Sequence, residues 1–253
     1  MCSAEQVSGR DRILEEAAAL FVRQGYRETT LRDIAAAAGM KAGSIYYHFD
    51  AKDELLAAVL ETGIARITRS FEETAASLPD DVAPSERLRR HVHAHLAALF
   101  EHGPFTTSHV TVFHAAPEAV RALGTPSRDA YERCWSELLA DLQRSGHLRA
   151  GIDLGLHRIL LLGAANATLD WFDPTGDRTL DELATALTEQ FWQGVGSAVD
   201  TAAPAPGPAS NPAPNPSTRA AARRAAAPTT TRNRAARNGT PAAPTRPKKE
   251  PTP

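Results

Sequence analysis

The chain has 253 residues and a formal net charge of −2, which conceals two oppositely charged parts. Residues 201–253 hold seven Arg and two Lys against one Glu, whereas the preceding 200 residues carry a net charge of −10. No apolar run reaches the roughly 20 residues that a membrane-spanning helix needs, and we expect no signal peptide and no membrane partner. Because the only cysteines are Cys2 and Cys134, we expect no structural disulfide and a cytoplasmic location.

The N-terminal part of the chain has the start and stop signals of three short helices. A first helix is expected over residues 10–24. Thr30 precedes the next apolar run and Asp33 follows it three residues later, an arrangement that caps the start of a helix. That helix ends at Gly39, because the residue after a helix often has a positive φ, which only glycine adopts at little conformational cost. After a turn, a further helix over residues 42–48 completes a helix-turn-helix.

The stretch from residue 29 to residue 55 resembles the DNA-binding motif of the TetR family of bacterial transcription regulators. The residues in register with that family's pattern are Thr29, Thr30, Arg32, Ile34, Ala35, Ala38, Gly39, Gly43, Tyr46, His48, Phe49, Lys52 and Leu55. The resemblance departs at Lys41, where the family usually has a serine that caps the second helix. A cation at that position opposes the helix dipole.

The resemblance implies a DNA-binding domain at residues 9–55 that reads duplex DNA with the second helix of its motif. The residues expected to contact phosphates are Thr30, Lys41, Tyr47, His48 and Lys52. The residues expected to approach base edges are Arg32, Ala42, Gly43, Ser44 and Tyr46. The expected partner is a palindromic operator, read from two adjacent major grooves.

The chain beyond this domain reads as helical throughout. Apolar residues at helical spacing predict a long helix over residues 52–78 and another over 84–102. Residues 105–116 have β-propensity, but the helical context favours a helix. The Gly-Thr-Pro sequence at 124–126 predicts a break that separates a short helix from one over 127–144.

Two final helices are expected over residues 154–171 and 180–199. The second opens on a full capping box formed by Thr179 and Glu182. Both helices are apolar on broad faces, so they either close the monomer core or form a four-helix bundle across a two-fold axis. The family resemblance favours the homodimer. We therefore predict an all-α protein with a ligand-binding and dimerisation domain at residues 56–199.

A second and shorter resemblance concerns the ligand. Gly163, Ala164, Asn166, Trp171, Pro174, Gly176, Asp181 and Glu182 match a segment of TetR-type regulators of fatty-acid and steroid-ring catabolism, several of which bind acyl-CoA thioesters. The resemblance implies a repressor that an apolar small molecule releases from DNA. The residues expected to line its pocket are Phe71, His95, Leu99, Phe100, Phe105, His109, Phe113, Tyr131, Trp135 and Asn166. Alternatively, Asn166 and Trp171 serve helix packing and the dimer interface.

Two other functions stay open at this point. A regulator of the same fold could sense a cationic drug and control an efflux pump, for which Asp170 is the one acidic candidate in the inner helices. A helical enzyme would need a nucleophile beside a base, and the sequence offers no such pair. His91, His93 and His95 alternate, and only His91 and His95 share a helix face, so we predict neither a metal site nor a cofactor.

The C-terminal segment from residue 200 to residue 253 has a different composition. Residues 201–253 hold 12 of the 18 prolines and no Leu, Ile, Val, Met or aromatic residue. Such a segment cannot bury enough apolar surface to offset the entropy of ordering it, so we predict disorder. It is either a solvated tail or a cationic arm that adds sequence-independent DNA affinity.

Overall fold

The computed structural model describes residues 8–101 and 103–197. Its α-helices are α1 (Gly9–Gln24), α2 (Leu31–Ala37), α3 (Lys52–Ser77), α4 (Pro84–Glu101), α5 (Pro104–Val112), α6 (Glu118–Arg144), α7 (Leu154–Ala167) and α8 (Leu180–Val195). Three short 3-10 helices cover Ala42–Tyr47, Phe113–Ala115 and Thr168–Asp170. The predicted all-α fold is confirmed for this part of the chain. The tail predicted over 200–253 lies outside the described residues.

The predicted helix starts are confirmed where a side chain caps the backbone. Thr30 Oγ1 accepts a hydrogen bond from Asp33 N at 3.1 Å, and Asp33 Oδ2 accepts one from Thr30 N at 3.0 Å. Thr179 and Glu182 repeat this reciprocal pair with distances of 3.1 and 2.8 Å. Gly39 has a φ of 68°, so the turn after α2 uses the left-handed conformation that glycine adopts cheaply.

The segment after this turn differs from its prediction. It forms a 3-10 helix over Ala42–Tyr47 in place of an α-helix, and Lys41 before it makes no side-chain cap hydrogen bond. A 3-10 helix suits short segments, since its hydrogen-bond geometry is poorer than that of an α-helix. The missing cap and the length of six residues are both in keeping with the tighter form.

The predicted break at residues 124–126 was wrong, because α6 runs through Pro126 without interruption. Proline has no N–H and costs a helix about 3 kcal/mol. On either side of it, Val120 and Tyr131 are buried on the helix face that packs inward. In addition, Thr125 Oγ1 donates to Arg121 O at 2.8 Å, a local bond beside the disturbed turn. Packing along the whole helix therefore outweighs the local preference of proline.

One apolar core joins the first three helical segments to the helices that follow. It contains Phe21, Ile34 and Phe49 from the N-terminal segments together with Leu60 of α3 and Phe105 of α5. Roughly 45 residues are too few to bury a sizeable core alone. The N-terminal segments accordingly share their core with α3, α5 and the start of α6.

Helix α5 lies against both α1 and α3. Ser108 Oγ donates to Ala18 O of α1 at 3.2 Å, and His109 Nδ1 donates to Leu60 O of α3 at 3.1 Å. A Cβ placed on Gly63 of α3 would lie 2.3 Å from Phe105 O, so this glycine permits the close approach of the two helices. Helix α5 is therefore a rigid link between the N-terminal segments and the rest of the chain.

A second core lies between α3, α4, α6, α7 and α8. Its members include Trp135, Leu96 and Leu139, all fully or almost fully buried. Helices α4 and α8 pack against each other, and Arg89 Nη1 of α4 bonds Asp181 Oδ1 of α8 at 2.6 Å. None of the helices in the described ranges combines the length and the apolar content needed to cross a bilayer.

Candidate DNA-binding surface and ligand cavity

The 3-10 helix Ala42–Tyr47 buries one side chain and exposes the others. Ile45 is fully buried and anchors the segment to the core, as does Phe49 just beyond it. Tyr46 and Tyr47 point outward, with exposed fractions of 58% and 94%. Large aromatic side chains are rarely left this exposed, and together they mark a surface for binding another molecule.

Most of the residues expected to contact DNA lie on this one surface. Nine of the ten are exposed: Thr30, Arg32, Lys41, Ala42, Gly43, Ser44, Tyr46, Tyr47 and His48. Residues from the start of α2 and from the 3-10 helix line a shared groove, since Thr30, Arg32, Ala42, Gly43 and Tyr46 all border it. The structure thus brings the two halves of the motif to one side of the molecule.

Lys52, the tenth residue expected to contact DNA, is partly buried and bonds to the backbone. Its Nζ donates to the backbone carbonyls of Tyr26 and Thr29, each at 2.9 Å, and to that of Arg27 at 3.4 Å. The ammonium group also lies 4.2 Å from the centre of the Tyr26 ring. The side chain therefore fixes the loop between α1 and α2, and Lys52 also borders the groove lined by the other expected DNA contacts, so its contact with a phosphate stays a prediction.

A cavity of about 260 Å³, partly open to solvent, lies between α3, α4, α5, α6 and α7. Its lining residues are Ile64, Ile67, His95, His109, Val110, His114, Arg128, Tyr131, Glu132, Arg158, Ile159, Leu162, Gly163 and Asn166. A cavity of about 150 Å³ holds one benzene molecule, so this one has room for roughly ten heavy atoms. It is partly apolar and partly polar, as small-molecule sites are.

A chain of hydrogen bonds crosses the floor of this cavity. Tyr131 Oη donates to His95 Nδ1 at 2.7 Å, and His95 Nε2 donates to Asn166 Oδ1 at 3.0 Å. Burial lowers the pKa of His95 to about 4, although the bond to Asn166 opposes that shift. Burial likewise raises the pKa of Tyr131 above its ordinary value. The chain is therefore neutral near pH 7 and offers polar contacts without a charge.

A second buried histidine lies on the α5 side of the cavity. Burial, with the nearby Arg128 charge, lowers the pKa of His109 to about 4. Since Nδ1 of this ring donates to Leu60 O, its Nε2 carries a lone pair near neutral pH. His109 therefore touches the cavity and α3 at once.

Charged groups form another part of the cavity wall. Arg128 and Glu132 lie one turn apart on α6, with Arg128 Nε 3.2 Å from Glu132 Oε1. Arg158 of α7 pairs with the other oxygen of the same carboxylate. Burial raises the pKa of Glu132, but the hydrogen bonds and charges of Arg158 and Arg128 outweigh it and leave that pKa below its usual range. Two cations thus share one anion.

The structure brings together four of the ten residues expected to line a pocket: His95, His109, Tyr131 and Asn166. The other six do not line the cavity. Phe71 packs edge-on against Trp135 with ring centres 5.3 Å apart, and Phe100 meets Phe172 in the same way at 5.3 Å.

The remaining expected pocket residues serve the two apolar cores. Phe105 and Phe113 belong to the core that α5 shares with the N-terminal segments, and Leu99 belongs to the second core with Trp135. Apolar spacing marks such residues as inward-facing, but it does not distinguish a packed core from a cavity wall. Spacing alone therefore did not place these six residues at the cavity wall, and their contact with a ligand stays a prediction.

The charged wall was missed by the sequence reasoning. Arg128 and Glu132 stand at i and i+4, which indicates an ion pair on a helix and nothing more. Arg158 lies 26 residues beyond Glu132, and no sequence pattern connects it to that ion pair. Asp170, the acidic residue considered for a cationic drug, is exposed and does not line the cavity.

The three alternating histidines do not converge. His91 and His95 are buried on one face of α4, whereas His93 is half-buried. His91 Nδ1 donates to Arg87 O at 2.8 Å. Across residues 8–101 and 103–197, no three His, Cys, Asp or Glu side chains are grouped so that they could hold a metal ion.

One face of α7 and α8 leaves apolar side chains in solvent. Leu156, Ile159 and Leu160 of α7 are each at least half exposed. Helices α7 and α8 form a shallow groove beside this face, and its lining includes Leu160, Ala164, Leu187 and Phe191. Contiguous exposed apolar surface of this kind indicates an interface with another molecule.

An exposed helix-turn-helix joined to a helical body with a cavity is the architecture of a DNA-binding regulator with a small-molecule site. The family model for bacterial regulatory proteins of the tetR family matches residues 13–59, and that for the tetracyclin repressor-like C-terminal domain matches residues 81–195. The chain belongs to the TetR family of bacterial regulators.

Individual relatives agree with this family. The HTH-type transcriptional repressor KstR2 of Mycobacterium tuberculosis (strain ATCC 25618 / H37Rv) is 31% identical over 187 residues, which cover 70% of this chain and 87% of the relative. The solved structure of ketosteroid transcriptional regulator KstR2 of Mycobacterium tuberculosis superposes with a TM-score of 0.63 at 25% identity, covering 75% of this chain and 96% of that one. AibR, solved in complex with isovaleryl coenzyme A and operator DNA, shares the fold with a TM-score of 0.65 at 22% identity, covering 72% and 97%.

Proposed function

We propose that the chain is a transcriptional repressor that binds a palindromic operator as a homodimer and leaves it when a small molecule fills the cavity. The observation that carries the DNA-binding part is the outward face of the 3-10 helix Ala42–Tyr47, where Tyr47 is almost entirely exposed. In a helix-turn-helix, this second segment enters the major groove. Such a protein acts where the chromosome lies, in the bacterial cytoplasm.

In this proposal residues 9–55 form the DNA-binding head and residues 56–199 the ligand-binding and dimerisation body. Ala42, Gly43 and Ser44 are the smallest residues of the exposed face, so they allow the backbone to approach a groove wall. Tyr47 and His48, beside them, offer hydrogen-bonding groups to phosphates. Lys52 holds the loop between α1 and α2 at the edge of this surface. The basic charge of residues 201–253 would add affinity without sequence preference.

The proposed dimer forms through α7 and α8. Leu160 and Ala164 of one protomer would pack against the same face of its partner, as a two-fold interface requires. Leu187 and Phe191, which line the same groove from α8, continue this apolar surface. A dimer of this kind sets the distance between two heads, and a palindromic operator has two half-sites at one fixed spacing.

The proposed ligand is an apolar metabolite, for which an acyl-CoA thioester is the leading candidate. The cavity has a volume of about 260 Å³, room for roughly ten heavy atoms. An acyl chain of medium length fits this volume, whereas the much larger coenzyme A portion would have to lie outside it. AibR was solved with isovaleryl coenzyme A, so this fold can bind a short acyl-CoA.

A cationic drug is a weaker candidate for the same cavity. Glu132 is the one carboxylate among its lining residues, and it is already paired with Arg128 and Arg158. A cation entering the site would meet two guanidinium groups. Asp170, which the drug hypothesis needs, is exposed. The charges of the cavity wall therefore favour the proposed metabolite over a cationic drug.

Helix α5 offers a route from the cavity to the head. His109 lines the cavity and donates to Leu60 O, while Ser108, the adjacent residue, donates to Ala18 O in α1. A ligand that moves His109 would therefore move two helices of the DNA-binding core. Ligand binding lowers DNA affinity only as far as it favours the conformation whose heads no longer match the operator.

The experiment that tests DNA binding replaces Tyr47 and His48 together by alanine. An operator is first selected from a random duplex library with the wild-type protein. We expect the double variant to lose operator binding in a mobility-shift assay while its thermal melting stays unchanged, because neither side chain is buried.

A matched control replaces Arg133 and Glu137 by alanine, two exposed residues on α6 in the body. This control should bind the operator as the wild type does. If the Tyr47 and His48 variant keeps its full operator affinity, the 3-10 helix is not the reading element and the proposal fails.

A further inference from the structure

The charged part of the cavity wall has an imbalance that the fold does not resolve. Arg128 and Arg158 both bond to Glu132, one through each carboxylate oxygen. No other carboxylate is among the residues lining the cavity, and His95 and His109 are neutral near pH 7. This wall therefore carries one uncompensated positive charge.

Arg158 has a donor that the protein leaves unused. Its side chain is 15% exposed, and its Nε is buried without a hydrogen-bond partner among the described residues. A buried N–H without an acceptor costs free energy, so this group is available to an acceptor that enters the cavity. A guanidinium presents its N–H groups as a planar fork that matches the oxygens of a carboxylate or a phosphate.

Two contacts hold the Arg128 side chain in position at the cavity wall. Its Cζ lies 4.9 Å from the centre of the Phe113 ring, a distance at which a cation and an aromatic face attract. Its Nε keeps the bond to Glu132 on the same helix. The two arginines thus approach the cavity from α6 and α7 and have a single carboxylate between them.

We propose that the cavity selects ligands that carry an anionic group, which Arg158 and Arg128 bind in competition with Glu132. This inference rests on the proposed ligand function and adds the chemistry of the ligand's polar end. The apolar part of the ligand lies against Ile64, Ile67 and Leu162, and the anion lies at the charged wall. The anion is either the carboxylate of a free acid or a phosphate of a coenzyme A thioester.

The competition has a mechanical consequence. The ion pair between Glu132 and Arg158 joins α6 to α7. An anion that takes over Arg158 weakens that tie, while it satisfies the otherwise unused Nε donor. Helix α7 also carries the proposed dimer face, so the change at Arg158 reaches the element that sets the distance between the two heads.

The test measures binding of three eight-carbon probes to the full chain by calorimetry at pH 7.5. Octanoate carries the anion, octanamide has the same shape without the charge, and octanoyl-CoA carries phosphates beyond its thioester. We expect an anionic probe to bind at least about tenfold more tightly than octanamide, as hydrogen bonds to charged groups predict.

Variants then connect this preference to Arg158 and its partner Glu132. Arg158→Gln should weaken the anionic probe about tenfold and leave octanamide unchanged, and Arg158→Lys, which keeps the charge but loses the fork, should fall between. Glu132→Gln should bind the anion more tightly than the wild type, because it removes the internal competitor. Arg133→Gln, an exposed arginine on the same helix as Glu132, should bind every probe normally.

The three probes also distinguish the two sources of the anion. Binding of octanoate assigns the anion to a carboxylate, and binding of octanoyl-CoA without octanoate assigns it to a phosphate; both support the inference. Equal affinity of octanamide and both anionic probes, an Arg158→Gln effect that is the same for all probes, or no binding by any of the three overturns it.

Operator release, measured in parallel by mobility shift, separates this inference from the proposed function. If octanoyl-CoA releases operator DNA equally from the wild type and from Arg158→Gln, ligand-relieved repression stands and the arginine site fails. If the anionic probes bind through Arg158 but never release DNA, the arginine site stands and the proposed relief of repression fails.

Discussion

The exposed apolar face of α7 makes a sharp prediction about assembly. Leu160 is 58% exposed and lies at the centre of the face that α7 and α8 present to solvent. If this face is the dimer interface, Leu160→Asp places a carboxylate in it. By two-fold symmetry the change occurs twice in every dimer.

The expected cost is several kcal/mol. Full burial of a leucine side chain contributes about 1.5–3 kcal/mol, and the 58% that remains exposed in the monomer would supply about 1–2 kcal/mol of that on dimerisation. Two copies thus lose about 2–4 kcal/mol. Burying two unpaired carboxylates adds several kcal/mol more. A total near 5 kcal/mol raises the dissociation constant by about three to four orders of magnitude.

Sedimentation velocity at micromolar concentration measures this directly. We expect dimer for the wild type and monomer for Leu160→Asp, with far-ultraviolet circular dichroism unchanged because the side chain is exposed in the monomer. Leu123→Asp is the matched control, since Leu123 is 70% exposed on α6 and does not border the α7–α8 groove. It should remain dimeric. A Leu160→Asp protein that is folded and still dimeric would show that the interface lies elsewhere.

Two further predictions concern stability. Gly63→Ala puts a Cβ 2.3 Å from Phe105 O, a backbone atom that cannot move aside. We therefore expect a loss of about 1–3 kcal/mol in the free energy of unfolding by urea. Gly43→Ala, where a Cβ meets open space, should show no comparable loss, and an equal loss in both variants would refute the close approach of α3 and α5. His95 has a pKa of about 4 in the folded chain, below its unfolded value near 6.5, so the unfolded state takes up the proton first and stability falls as pH drops from about 6.5 to 4, by about 3 kcal/mol for this group. His95→Gln should flatten that part of the stability–pH curve, and an unchanged slope would contradict the buried, neutral state of the ring.

Local signals in the sequence predicted the helix boundaries well. Thr30 and Thr179 each have a carboxylate three residues later, and both capping boxes form, because their bonds involve only neighbouring residues. Gly39 ends α2 for a similarly local reason. Pro126 misled the prediction, since the packing of α6 on distant helices decides its continuity and no local pattern reports that packing.

The cavity was predictable only in part. His95 was found on an apolar helix face, and Asn166 was found in the segment that resembles regulators of fatty-acid and steroid-ring catabolism. Arg158 was not found, since its role depends on Glu132, a residue on another helix. Lys52 was assigned to DNA from its place in the motif, yet the carbonyls that hold it come from a loop more than 20 residues earlier. Such contacts exist only after the chain has folded.

The two faces of α7 connect the ligand to the assembly. Arg158 and Leu162, four residues apart, face the cavity, whereas Leu160 and Ala164, also four residues apart, face the groove with α8. Because a helix moves as a rigid body, a ligand that shifts one face shifts the other. Lowering operator affinity tenfold needs a difference of only about 1.4 kcal/mol between ligand affinities for the two states. One buried charge-assisted hydrogen bond, of the kind that Arg158 has available, contributes about 1.5–3 kcal/mol and is sufficient for that.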